Sequence, residues 1–471
     1  MKGVVLLSVL LLVARSQGRY EDKKRRLDHT RPTAASERAL NICDLQQEHD
    51  LNMFCVCEPR NEHNNATSAN CWMFNSGESE DSPVWTWFRS QRHLTKMILN
   101  VRSLTQLSYV PTRALKQLSK LKTFEIVYAN IETIEPFAFA NLTLLQDLGL
   151  TRNRIMTLKK FSIAFLPDLK VITLGENRIS ELNREVFVSL PSLRKLYIDR
   201  NNLSLIHEGA FSALYSLEEL ELHGNQLTVV TKETFRGLSR LRRLDLSLNA
   251  LTYIAEGTFK EMPALEELLL ERNKIEALDP GALIDLEFLG KVYLTANSLR
   301  TLPPGLFEDT TSLRFLNVRD NILHTLNHQV FAPIILNLFN QSAYLLVDGN
   351  PLVCDCRLDW LHNLYNSSNS ESVRTTIEEM TCIQTLNDLD SEPLRARMPD
   401  NTIGDTPTQE SMEPFSEKNF MAIPRESLPC PQDLRATGVP AVQLATKTES
   451  SGLKTSQSLV LIIFSICLLF P

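Results

Sequence analysis

Apolar positions recur along most of the chain in one pattern, L-x-x-L-x-L-x-x-N-x-L, seen at Leu145, Leu148, Leu150, Asn153 and Ile155 and again at Leu241, Leu244, Leu246, Asn249 and Leu251. The opening Leu returns at 121, 145, 169, 193, 217, 241, 265, 289 and 313, a strict period of 24 residues. Less regular copies begin at Leu94 and, after a longer step, at Ser342, which makes eleven turns. Units this short hold no core of their own and bury their apolar side only against their neighbours, so the stretch is a stack and not a set of globular domains. In Leu244-Asp245-Leu246 the alternation sends the leucines inward and Asp245 outward, which predicts a short strand in each unit. Units stacked in one direction place those strands in parallel.

Two polar and aromatic columns follow the same period. Asparagines stand at 153, 177, 201, 225, 249, 273, 297 and 321, where the chain leaves the strand. An amide both donates and accepts, so a stack of Asn side chains can serve backbone groups that no helix or sheet reaches. The first two copies have Arg102 and Ala129 in that place, and looser turns are expected there. Ten residues beyond the Asn position come Phe139, Ile163, Phe187, Phe211, Phe235, Phe259, Leu283, Phe307 and Phe331, a column that predicts a spine of stacked rings on the wide side of the coil.

The two ends read as addresses. Met1 to Gly18 carries Lys2, an apolar run from Val4 to Val13 and small residues at Ala14 and Ser16, the plan of a secretory signal peptide over 1–18. Ten apolar residues would span only ~15 Å of a ~30 Å hydrocarbon layer. At the other end an uncharged apolar tail, Ser458 to Pro471, follows a polar spacer and the small triplet Ser450, Ser451 and Gly452. That order is a glycosylphosphatidylinositol (GPI) attachment signal, with Ser450 as the modified residue and 451–471 as the discarded propeptide; a short tail anchor is the alternative. Of nine cysteines, Cys467 lies in the tail, so its removal leaves an even eight for an oxidising compartment. Sequons at Asn65, Asn141, Asn202, Asn340 and Asn366 suit a secreted glycoprotein. Residues 19–40 form a polar linker containing Lys23-Lys24-Arg25-Arg26, either a processing site or a solvated basic tail, and 431–450 form a stalk. The composition, 43% hydrophobic and 22% charged with a formal net charge of −7, argues against a wholly disordered chain, a polytopic membrane protein and a nucleic-acid partner.

Cys43, Cys55, Cys57 and Cys71 precede the repeats, and Cys354, Cys356, Cys382 and Cys430 follow them. Clustered cysteines suit either disulfides or zinc, although these lack the C-x2-C pairs and neighbouring histidines that zinc usually takes. With the string Asn350 to Leu361, "NPLVCDCRLDWL", the chain resembles the extracellular leucine-rich repeat family with cysteine-rich caps. The resemblance implies an α/β solenoid: a leucine-rich repeat horseshoe over 94–352, with a parallel β-sheet on its concave face and disulfide-bonded caps at 41–93 and 353–430. It also implies the pairs Cys43–Cys57, Cys55–Cys71, Cys354–Cys382 and Cys356–Cys430. The long step from Cys382 to Cys430, rich in Pro, Asp, Glu and Ser, reads as a mobile insertion.

Outward positions on successive strands alternate in charge: Arg194 and Lys195, then Glu218, Glu219 and Glu221, then Arg242, Arg243 and Asp245, then Glu266 and Glu267. Lateral ion pairing within one molecule accounts for this, at ~0–1 kcal/mol per exposed pair. The other reading is a partner-binding face whose rows match those of a second copy; reversing Glu218, Glu219 and Glu221 to Lys should then weaken self-association. Tyr128, Tyr197, Tyr293, Phe315 and Tyr344 are further outward candidates. No phosphate-binding Gly loop, H-E-x-x-H or nucleophile elbow occurs, and neither a catalytic residue, a metal ligand, a cofactor nor a small-molecule substrate is expected. "NICDL" at 41–45 and "ANCW" at 69–72 are similar to GPI-anchored, homophilic adhesion members of the family. That implies a protein partner on the same or an opposing cell, possibly a second copy of the chain, with a heterophilic receptor or a secreted matrix protein as alternatives.

Overall fold

The computed structural model describes residues 40–45, 52–59, 65–74, 77–102, 107–140, 142–385 and 415–430. The signal peptide, the basic tetrad, Asn141, the stalk, Ser450 and the apolar tail lie outside the described residues, as does most of the step between Cys382 and Cys430. Thirteen strands form one sheet: β1 Met53–Glu58, β2 Ser68–Met73, β3 Lys96–Val101, β4 Thr123–Val127, β5 Asp147–Gly149, β6 Val171–Thr173, β7 Lys195–Tyr197, β8 Glu219–Glu221, β9 Arg243–Asp245, β10 Glu267–Leu269, β11 Lys291–Tyr293, β12 Phe315–Asn317 and β13 Tyr344–Leu346. β1 and β2 are antiparallel, and from β2 onward every neighbour is parallel. Eleven repeats thus supply β3 to β13, and at ~4.8 Å per strand they make an arc of about 50 Å. Register is fixed by the period: Leu196, Leu220, Leu244 and Leu268 lie opposite one another and are fully buried.

The Asn column is a continuous ladder. Asn225 accepts from the Leu203 N–H at 3.0 Å and donates to the carbonyls of Ile198 and Leu222 at 2.9 Å each, and its counterparts repeat this arrangement. The ladder extends one member further than the strict period indicates. Asn350, 29 residues past Asn321, accepts from the Leu323 N–H and donates to the carbonyls of Val318 and Val347. The extra residues of that last unit are taken up by helical turns at His328–Phe331, Ala332–Ile334 and Ile335–Leu338. At Ala129, where a looser turn is expected, the N–H donates to Asn153 Oδ1 at 2.7 Å, two residues earlier in the turn than the donor used in later repeats, such as Leu203 to Asn225.

The aromatic column is buried throughout, Ile163 and Leu283 included. Its rings do not stack flat, however. Phe235 and Phe259 lie 6.0 Å apart with planes inclined 34°, and Phe307 and Phe331 lie 6.1 Å apart at 50°. Curvature spreads the convex side and lets each ring lean on the next. Trp360 closes the end of the column, with its ring 5.0 Å from Phe331 and its Nε1–H donated to the Leu326 carbonyl at 2.7 Å.

Disulfides seal both ends of the stack. Cys43 is bonded to Cys57 and Cys55 to Cys71, the latter pair facing across β1 and β2. At the C-terminus Cys354 is bonded to Cys382 and Cys356 to Cys430, around the helices Trp360–Ser367 and Glu371–Glu379 and the antiparallel strands β14 Thr381–Thr385 and β15 Phe415–Asn419. Such bonds fit an oxidising, extracytoplasmic setting.

Candidate protein-binding face

The parallel sheet leaves every second side chain of β3 to β13 on the concave face, and register sorts them into lanes. One lane runs Lys195, Glu219, Arg243, Glu267, Lys291, Phe315, Tyr344; the next runs Tyr197, Glu221, Asp245, Leu269, Tyr293, Asn317, Leu346. The charges expected to face a partner are already engaged with each other. Lys195 Nζ lies 2.8 Å from Glu219, Arg242 lies 3.3 Å from Glu266, and Arg194 is bonded to Glu218. Arg243 Nη1 reaches Glu221 at 2.9 Å and Glu219 at 3.6 Å, while its other nitrogens approach Asp245 and Glu267. Of the two sequence readings, lateral pairing within one molecule is therefore the arrangement the geometry realises.

The centre of the face is nonetheless uneven. Four carboxylates surround one guanidinium at Arg243. Burial pulls against its charge, but Asp245, Glu221, Glu267 and Glu219 outweigh that and raise its pKa. Glu221 is pushed up by burial first, with Glu219 and Asp245 adding repulsion that Arg243 only partly relieves. Glu271, at the lower edge, is pushed up by burial and by Asp245 and Glu267. Asp245 is the exception to the outward expectation: it faces the concave side but is only 7% exposed, because it is held by the Ser247 N–H at 3.0 Å and hydroxyl at 2.6 Å beneath Arg243.

Toward the C-terminal end the lanes turn aromatic. Tyr293 and Phe315 have centroids 4.6 Å apart, and Phe315 and Tyr344 5.5 Å, so three strands present one continuous ring surface. Tyr197 is half-buried beside Lys195 and Glu219. Tyr128 is exposed but sits past β4 in a left-handed turn, φ 65°, where its hydroxyl receives Arg152 Nη1 at 3.0 Å. Asn65, Asn202, Asn340 and Asn366 are all exposed, and the Asn340 carboxamide accepts from the N–H and hydroxyl of Ser342, its own sequon.

Residues 144–291 match the leucine rich repeat family in five overlapping segments, 144–203, 167–227, 191–251, 215–275 and 239–291. That stretch of the chain is built of leucine-rich repeats. In sequence the chain is similar to Connectin of Drosophila melanogaster, with 35% identity over 107 residues; the match covers 23% of this chain and 16% of the length of Connectin. In structure it is similar to a chain of the Drosophila Toll–Spatzle complex, at 19% identity over 66% of this chain and 52% of that one, TM-score 0.46. A leucine-rich repeat protein of Leptospira interrogans matches at 21% identity over 61% of this chain and 80% of that one, TM-score 0.46. Leucine-rich repeat solenoids are scaffolds for protein interaction, and the exposed sheet, built from side chains of every repeat, is the surface such a scaffold offers. Among the described residues no helix is long and apolar enough to cross a membrane.

Proposed function

We propose that the protein acts at the outer cell surface, held there by a GPI anchor at Ser450, and joins cells by recognising a second copy of itself. The observation that carries a recognition role is the exposed eleven-strand sheet between disulfide caps, a long rigid platform whose interior is spent on stacking. The sequence likeness to Connectin and the N-terminal cap wording support adhesion between like molecules. The sequons at Asn65, Asn141, Asn202, Asn340 and Asn366 are proposed glycan sites.

A second reading, capture of a different protein on the concave face, is favoured by the aromatic run Tyr293–Phe315–Tyr344 beside the carboxylates around Arg243. Arg194, Lys195, Glu218, Glu219, Glu221, Arg242, Arg243, Glu266 and Glu267 would then line the bound partner. Mixing expressing cells of one colour with non-expressing cells of another separates the two readings. Clusters of the expressing colour alone are expected, and a phosphatidylinositol-specific phospholipase C should disperse them. Clusters of both colours would replace the homophilic reading with the second.

A further inference from the structure

We infer that the convex flank of the early repeats carries an aromatic contact through which one copy of the chain docks on another. The inference rests on the homophilic reading above and places its interface. Phe137, Phe161 and Phe165 stand together on the side away from the main sheet, with centroids 5.7 Å, 6.2 Å and 6.3 Å apart and the first two pairs within 20° of parallel. Phe137 and Phe165 are each 41% exposed and Phe161 is half-buried.

The backbone beneath them is unusual for such side chains. All three residues are left-handed, with φ of 61°, 59° and 60°. The convex ladder demands it: the Phe137 N–H donates to the Phe161 carbonyl at 2.9 Å, and the Phe161 N–H donates to the Glu185 carbonyl at 2.7 Å. In later repeats the same column holds Gly209, Gly257, Gly281 and Gly305, and three of these have φ of +73°, +64° and +91°. Glycine meets this geometry without steric cost, whereas a bulky side chain is strained there. Phe137 and Phe161 do not repay that strain by filling the core, which Phe139 and Ile163 already fill. Two early repeats thus hold large apolar rings in the open where four later repeats use glycine and two use a charged residue, Glu185, itself left-handed at φ 63°, and Glu233.

Charge identifies the occupant. The rings are flanked by Glu135 paired with Lys159 at 2.8 Å and by Glu185 paired with Lys160 at 2.7 Å, two charges of each sign, all substantially exposed. A balanced rim neither repels its own copy nor selects a strongly charged stranger, and it can exchange partners across a two-fold axis. Aromatic rings in turn pair well with aromatic rings in offset or edge arrangements. With roughly 80 Å² open on each of Phe137 and Phe165, the apolar centre is small beside the ~800 Å² per partner of a standard interface. A weak contact of this kind suits opposed membranes, where many copies act together.

The test uses cells displaying the full chain and two variants, Phe137→Gly with Phe161→Gly, and Glu218→Lys with Glu219→Lys and Glu221→Lys. The double glycine chain is expected to reach the surface at the wild-type level and, purified, to melt at the same or a higher temperature, while one-colour clustering falls at least about tenfold. The triple lysine chain reads the rival placement on the concave face, on which its clustering alone would fall. Full clustering by the double glycine chain, or a fall in its melting temperature, would overturn the inference while leaving the homophilic reading intact, the second result marking the rings as structural filler. Loss of clustering in the triple lysine chain alone would move the interface to the concave face. If wild-type cells do not cluster with their own kind, the homophilic reading fails first and takes this interface with it.

Discussion

Asn225→Ala is expected to destabilise the array by roughly 2–6 kcal/mol, about 1–3 kcal/mol for the one buried donor left without a partner and about 0.5–1.5 kcal/mol for each of two carbonyl bonds lost. The exchange strips the Leu203 N–H of its acceptor and takes one of two donors from each of the Ile198 and Leu222 carbonyls, which keep Asn201 and Asn249, all in a seam where Asn225 is itself buried. Asn225→Asp should be at least as harmful, because it keeps the acceptor but sets a carboxylate against two carbonyl oxygens. The neighbouring Asn202, exposed on its turn, supplies the control: Asn202→Ala should change stability by no more than about 0.5 kcal/mol. Thermal unfolding of the three variants checks the series. An Asn225→Ala chain that melts with wild type would mean that water serves those groups and that the ladder is not structural.

Phe235→Ala should cost about 3–5 kcal/mol for a different reason, the cavity left by a fully buried ring. The convex side can close over that cavity only by drawing neighbouring repeats together, and the 24-residue spacing holds them apart. Phe235→Leu should recover much of the loss, since Leu283 already occupies the same column without exposure beyond 4%. A melting curve for Phe235→Ala that coincides with wild type would remove the aromatic column from the account of stability.

The parts of the fold legible in the sequence are those that repeat. Leucines at fixed spacing set strand, register and stacking direction, and the asparagines announced the ladder, because each position needs one chemistry and the needs recur every 24 residues. Asn350 escaped that reading since five extra residues precede it, and only the structure shows the helical turns that absorb them. The concave charges were legible as types but not as partners. Alternation along the chain says which strands are basic or acidic, whereas the reach of Arg243 to Glu219, Glu221, Asp245 and Glu267 depends on side-chain paths. Asp245 shows the same limit, as a residue alternation sends outward and neighbouring side chains then cover. The left-handed Phe137 and Phe161 did leave a signal, namely glycine at 209, 257, 281 and 305 in the same column. It is visible once the convex turns, and not only the leucines, are aligned.

The direction of the hydrogen bonds has a mechanical meaning. Bonds between parallel strands point along the stack, so a load applied between its two ends passes through the rungs in series, and the weakest rung bears the same tension as the strongest. A rung that yields gives up about 4.8 Å of stacked height and releases 24 residues, or roughly 80 Å of extended chain. At the C-terminal end, where such unravelling would otherwise begin, the Cys356–Cys430 bond joins residues 74 apart and the Cys354–Cys382 bond residues 28 apart, so tension entering there crosses covalent sulfur before it reaches the first strand.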